Sequence, residues 1–274
     1  MFNKFYLKQP KQIANEVRKY FKDDFFKRHP KLENKISIII VGSIATANYD
    51  KHSDIDLDIL FTDKNDFDNL LTVIKQYKRE LRKKKIPIQI HTPRTYKEIE
   101  NQLKSWEKDG MLKEYSQAII ISDPKNKFTT IQKKYQWYPK NIFNEKLSWL
   151  FAELMFEYKD RYLIAVKRKD LYFGEVVKIK LLKYMLTILL VVNKKYPAFD
   201  KHLYQDIKKI RTLPKGFLKT ANKLLISHNL NKDEKYLRAA ITIIEKYLIE
   251  KKLIKKESLQ YWIDLRPKYK VEMK

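Results

Sequence analysis

Two apolar runs, Ile36 to Val41 and Ile55 to Phe61, constrain most of what the first half of this chain can fold into. Each has the length of a strand, and the second carries acids at alternate positions. Successive side chains of a strand point to opposite faces, so Asp54, Asp56 and Asp58 share one face while Ile55, Leu57 and Ile59 fill the other. Carboxylates crowded on one face repel one another unless a cation lies among them. Hard oxygen donors at this spacing suit Mg²⁺, which is usually held by one or two carboxylates together with substrate phosphates. Between the runs, Gly42 is followed by the small hydroxyl of Ser43. At the start of a helix, such a pair offers backbone N–H groups to those phosphates. A solvated strand face and an ordinary Gly-Ser turn would account for either half alone. Their joint spacing points instead to a metal-dependent nucleotide site.

These residues resemble the signature of the DNA polymerase β-like nucleotidyltransferase superfamily, a Gly-Ser pair followed after a fixed gap by Ser-Asp-x-Asp. Gly42 and Ser43 match the pair, and Ser53, Asp54 and Asp56 match the second half. Ala45 fits the small residue common within the gap, whereas Thr46 and Ala47 stand where many bacterial members have Arg and Gly. The resemblance covers roughly the first half of the chain. It implies that Asp54 and Asp56 are catalytic, Mg²⁺-holding carboxylates, and that Gly42, Ser43 and Ser53 grip the nucleotide. The implied reaction is in-line displacement at the α-phosphorus of an NTP, which leaves a nucleoside monophosphate on a hydroxyl acceptor. The family's third carboxylate lies on a later strand, here expected over Ile86 to His91 with an acid at about Gln89. Asp58, Gln89 and His91 compete for that position. His91 has the chemistry of a general base, although a lone histidine on a strand is also an ordinary structural residue.

Around this segment the pattern predicts an α/β layer with a mixed sheet. An amphipathic helix is expected from Pro10 to His29, stopped by Pro30, and a second after a cap at Asn65-Asp66, with Phe67, Leu70, Leu71, Ile74 and Leu81 on one face. Pro87 suits the beginning of an edge strand. Thr95 to Asp109 reads as one helix ended by Gly110, and Ala118 to Ile121 as a short last strand. Beyond about Lys140 no strand is expected. Helices are predicted over Asn144 to Lys167, Tyr172 to Lys195, Leu203 to Ile210, Lys215 to His228 and Asp233 to Leu253. The fold class expected is therefore α+β: a nucleotidyltransferase-like domain over 1–139, then an all-α helical bundle over 140–274. That second half resembles the bundle following the catalytic domain in several bacterial nucleotidyltransferases. Tyr135, Trp137 and Tyr138 at the junction could stack on a base, with core packing as the plainer role.

Charge bears on the partner. The chain carries 59 Lys plus Arg against 33 Asp plus Glu, a formal charge of +26. Such a surplus attracts polyanions, which favours an RNA or tRNA end as acceptor. Abundant Lys, Ile, Asn and Tyr would also follow from AT-rich coding DNA. Lys178, Lys180, Lys183, Lys194, Lys195 and Lys201 are candidate substrate contacts, each individually expected on a solvated helix face. A hydroxylated antibiotic or a protein hydroxyl are the other acceptor classes. A catalytically impaired protein that only binds nucleotide or nucleic acid is the rival of a different kind. The absence of Cys removes thiol chemistry and Cys-ligated zinc and fits a cytoplasmic setting. His29, His52, His202 and His228 have no metal-ligand spacing, and the apolar run from Tyr184 to Val192 is too short to span a bilayer. No membrane partner is expected.

Overall fold

A computed structural model describes residues 2, 4–62, 67–197 and 199–254 of the chain. It divides into two compact units, Met1–Trp137 and Tyr138–Lys274. In the first, helix α1 (Pro10–Tyr20) and the short α2 (Pro30–Glu33) precede strand β1 (Ile36–Ile40) and one helical turn, α3 (Gly42–Ala45). Then follow β2 (Ile55–Phe61), α4 (Phe67–Lys83), β3 (Ile88–Ile90), β4 (Arg94–Thr95), α5 (Tyr96–Leu103), α6 (Asp109–Gln117), β5 (Ile119–Ser122) and α7 (Lys127–Lys134). The sheet order is β3-β2-β1-β5, with β4 also paired to β2. It is mixed: β1 runs antiparallel to β2 and β5, while β3 and β4 run parallel to β2.

The period-two pattern sorts the sheet into two different faces. Ile36, Ile38 and Ile40 join Ile55, Leu57, Ile59 and Phe61 in one apolar core, against Ile13, Val17, Phe21 and Phe25 from α1 and the turn after it, and Leu70, Ile74 and Leu81 of α4. The opposite face holds the polar groups. Ser37 donates to Asp123 at 2.6 Å and meets the Tyr96 hydroxyl at 2.7 Å, and Asp58 meets Tyr115 of α6. Pro87 lies just ahead of β3, at the sheet edge, where it has no ladder bond to donate; its carbonyl accepts from the Ile55 N–H at 2.8 Å.

In the first unit, three expected elements differ in the structure. The first helix is not one α-helix to His29: from Phe21 to Phe26 it widens into a π turn, which seats Phe21, Phe25 and Phe26 in the core together. Pro30, expected as a stop, is also the start of α2, since a proline needs no donor at a first helical position. Gly110 does not end a helix. The chain turns at Trp106, whose φ is +59°, and Gly110 lies in the first turn of α6, an element whose Leu112 and Tyr115 are buried. The cap expected at Asn65-Asp66 lies outside the described residues.

The second unit has no strand among its described residues and is built of helices: α8 (Lys140–Phe156), a π turn (Glu157–Tyr162), α9 (Leu163–Arg168), α10 (Leu171–Val192), α11 (Asp200–Lys208), α12 (Phe217–Ile226) and α13 (Leu230–Glu250). Helix α10 is its axis, with twelve buried positions from Gly174 to Val191. Among the described residues, no helix is long and apolar enough to cross a membrane.

Lys178 departs from the solvated reading. It is 2% exposed, and its Nζ donates to Glu175 at 2.7 Å, to the Ser227 carbonyl at 2.6 Å and to Asp233 at 3.1 Å. Asp233 is itself fully buried, so the pair pins α10 to α13. Removing one member strands the other charge in a low dielectric, at a cost of about 3–5 kcal/mol. Lys178→Met should therefore lower unfolding free energy in urea by about that much, while Lys183→Met, at an exposed pair with Asp200, should change it by less than about 1 kcal/mol.

Candidate functional site

Strand β1 ends two residues before Gly42, and β2 carries Asp56 and Asp58, so their antiparallel pairing brings the two motif halves together. Gly42 has a φ of +68°, in the left-handed region that favours glycine. A Cβ built there would stand 2.5 Å from Asp56 Oδ2 and 3.3 Å from its Cβ. No side chain fits between this turn and that carboxylate. The Val41 N–H donates to the Asp56 carbonyl at 2.9 Å, tying the loop base to the strand. Ser43 is half-buried in the first turn of α3, and Thr46 Oγ1 bonds back to the Gly42 carbonyl at 3.1 Å. Ser53 closes the Asp50–Ser53 turn, accepting from the Asp50 N–H at 3.0 Å and donating to its carboxylate at 3.2 Å.

The three alternating acids have three different surroundings. Asp54, just ahead of β2, is exposed; Asp56 is half-buried; Asp58 is 1% exposed. Asp58 accepts from Arg94 Nη2 and pairs with His91 Nδ1 at 2.8 Å and with the Tyr115 hydroxyl. Burial alone would push its carboxyl up. The His91 hydrogen bond, the Arg94 charge and the Tyr115 hydroxyl outweigh this and hold it below the usual carboxylate range. Asp58 is thus occupied by protein donors, which does not suit it to the third-carboxylate position. Gln89 is exposed and sits in register with Asp56 across the parallel β2–β3 pair. A neutral amide therefore stands beside the motif's second acid.

His91 lies two residues further along the same face. Its Nδ1 meets Asp58 and its Nε2 is 3.4 Å from Asp56 Oδ1. Hydrogen bonding to Asp56 and to Asp58 pushes the imidazole up to about 9, against the opposing effect of burial. With both nitrogens facing carboxylates, the protonated ring is favoured. A cation held this way donates protons to its neighbours; the general-base role does not fit it.

A further carboxylate was not visible in the sequence pattern. Glu114 lies on α6, beside Tyr115 and half-buried, where desolvation and then the charges of Asp58 and Asp56 push its carboxyl up. The one signal the sequence offers for it is its position beside Tyr115, because Gly110 obscures the start of α6. The junction aromatics Tyr135 and Tyr138 are buried, at 1% and 4% exposure, so their packing role prevails over stacking on a base.

Asp54, exposed just ahead of β2, and Asp56, half-buried within it, are hard oxygen donors of the kind a divalent cation takes. Among the described residues, no three His, Asp or Glu side chains are grouped closely enough to hold one unaided. That donor set suits a cation whose remaining ligands are substrate phosphates.

Residues 15–119 match the family described as "Nucleotidyltransferase domain", and residues 107–203 match "Domain of unknown function (DUF4037)". A nucleotidyltransferase-like protein from Exiguobacterium sibiricum is similar in structure at 13% identity and a TM-score of 0.48, over 86% of this chain and 78% of its own. No curated protein sequence matches the chain.

Two outcomes follow. Gly42→Ala, which places a methyl against Asp56 in a left-handed conformation, should destabilise the first unit by about 1–3 kcal/mol in thermal unfolding. His91, raised from 6.5 to about 9 on folding, contributes stability that is complete below pH 6.5 and lost as pH climbs through 9. The ring is 38% exposed, so the discounted contribution is about 1 kcal/mol. In metal-free buffer the melting gap between wild type and His91→Gln should close between pH 6.5 and 9.5.

Proposed function

We propose that the nucleotidyltransferase domain of residues 15–119 moves a nucleoside monophosphate from an NTP to a hydroxyl acceptor with Mg²⁺. The observation that carries this reading is the approach of Gly42 to the Asp56 carboxylate, within 2.5 Å of where a Cβ would stand. It joins a turn with N–H groups for phosphate to an acid with oxygens for a cation. A bound cation would neutralise triphosphate oxygens and the leaving pyrophosphate. In this reading Asp54 and Asp56 hold it, and Ser43 with the N–H groups after Gly42 orients the phosphates. Ser53 acts indirectly, by closing the turn that leads into Asp54.

The acceptor class that the +26 charge favours is an RNA end. The rival reading, a nucleotide-binding protein without turnover, draws support from Gln89 standing beside Asp56 in register.

Calorimetry separates the outcomes. ATP should bind the wild type with Mg²⁺ present, and affinity should fall at least tenfold in EDTA, in Asp54→Ala and in Asp56→Ala. Equal metal-free binding by all three proteins would defeat the site. Binding without transfer of α-labelled nucleotide to RNA or to any other hydroxyl would favour the rival.

A further inference from the structure

The chain has no acid at the strand position where a third carboxylate is expected, and Asp58 is taken up by Arg94, His91 and Tyr115. The groups beside Asp56 and Asp58 therefore decide where the acceptor's proton can go. His91 meets a carboxylate at each ring nitrogen, Arg94 is a permanent cation, and the Tyr115 hydroxyl is engaged with Asp58. Glu114 is the carboxylate left over. It stands on α6, which packs against the Gly42–Ala45 turn. The next residue, Tyr115, reaches the Asp58 carboxylate, so this stretch of the helix is anchored at the acid face of the sheet. Glu114 is half-buried and lies within the field of Asp56, Asp58, His91 and Arg94. Among the described residues it has neither a hydrogen bond nor an ion pair.

We propose that Glu114 is the catalytic carboxylate that receives the acceptor proton, supplied from a helix where a strand acid is expected. The inference rests on the nucleotidyl-transfer reading. In the step, the acceptor oxygen forms a bond to the α-phosphorus as the bond from that phosphorus to the pyrophosphate oxygen breaks. Pyrophosphate leaves with the bonding electron pair, and the proton of the acceptor O–H passes to a Glu114 carboxylate oxygen. Half-buried beside other carboxylates, Glu114 is a stronger base than a solvated one, first because burial disfavours its charge and then because its protonation relieves repulsion. An unpaired state suits the task as well, since no bond within the protein has to be given up.

The test uses the full chain, Mg²⁺ with α-labelled ATP, and an RNA oligonucleotide with a free 3′-hydroxyl, with release of AMP to water followed in parallel. Glu114→Gln keeps the shape and removes the basicity. It should bind Mg²⁺–ATP within about twofold of the wild type and melt no lower, while kcat falls about 10²-fold or more. Glu114→Asp should recover part of that loss. A Glu114→Gln kcat within threefold of the wild type, or a loss confined to nucleotide affinity, overturns the inference and leaves the nucleotidyl-transfer reading standing. A wild type that binds Mg²⁺–ATP but transfers AMP neither to RNA nor to water overturns it too. Failure of the wild type to bind Mg²⁺–ATP removes the reading itself.

Discussion

A carboxylate at 1% exposure has to be neutralised by its neighbours, and in this protein Asp58 imposes that demand on the architecture around it. His91 comes from the end of β3, Arg94 from β4 and Tyr115 from α6. Three segments that follow one another loosely in sequence are thereby fastened to β2. With Arg94 and His91 drawn onto Asp58, the parallel edge of the sheet is held close to the acids. Tyr115, drawn the same way, sets α6 over the face that carries them. Ile39, the partner of Asp58 on β1, is fully buried, and its side chain offers the carboxylate no hydrogen bond.

Division of labour among the alternating acids follows from depth. The sequence gives them equal standing, yet Asp54 is exposed, Asp56 half-buried and Asp58 sealed. In the nucleotidyl-transfer reading, the outer two are the ones left for a substrate-borne cation. The innermost has become part of the framework, and the imidazolium of His91 links it to Asp56.

Much of this was legible beforehand where periodicity and spacing speak directly. Strand β2 falls on the expected residues because alternation, length and flanking polar residues agree. The pairing of Gly42 with Asp56 could be anticipated because a motif joins two points that antiparallel strands must bring together. What escaped has equally physical causes. Helix α6 begins around a glycine that reads as a terminator, so the sequence pattern assigns Glu114 to no helix face. Arg94 sits on a two-residue strand with no periodic signal, and its importance depends on a partner 36 positions earlier. Lys178 looks like any solvated lysine until α13, 55 residues on, brings Asp233 against it. Contacts of long sequence separation between single charged residues leave no local pattern.

The balance of charge at the acid face differs in sign from that of the chain. Across 274 residues the surplus is +26, while at Glu114 the burial and the charges of Asp58 and Asp56 outweigh those of His91 and Arg94. A triphosphate drifting toward the basic exterior is drawn in at long range and then meets carboxylates at short range. Bare nucleotide loses there what it gained on approach, whereas nucleotide already chelated arrives with part of its charge cancelled. In the nucleotidyl-transfer reading, the protein thus sorts nucleotides by chelation state before any base is inspected. Free ATP in excess over metal would then act as a feeble competitor for the site.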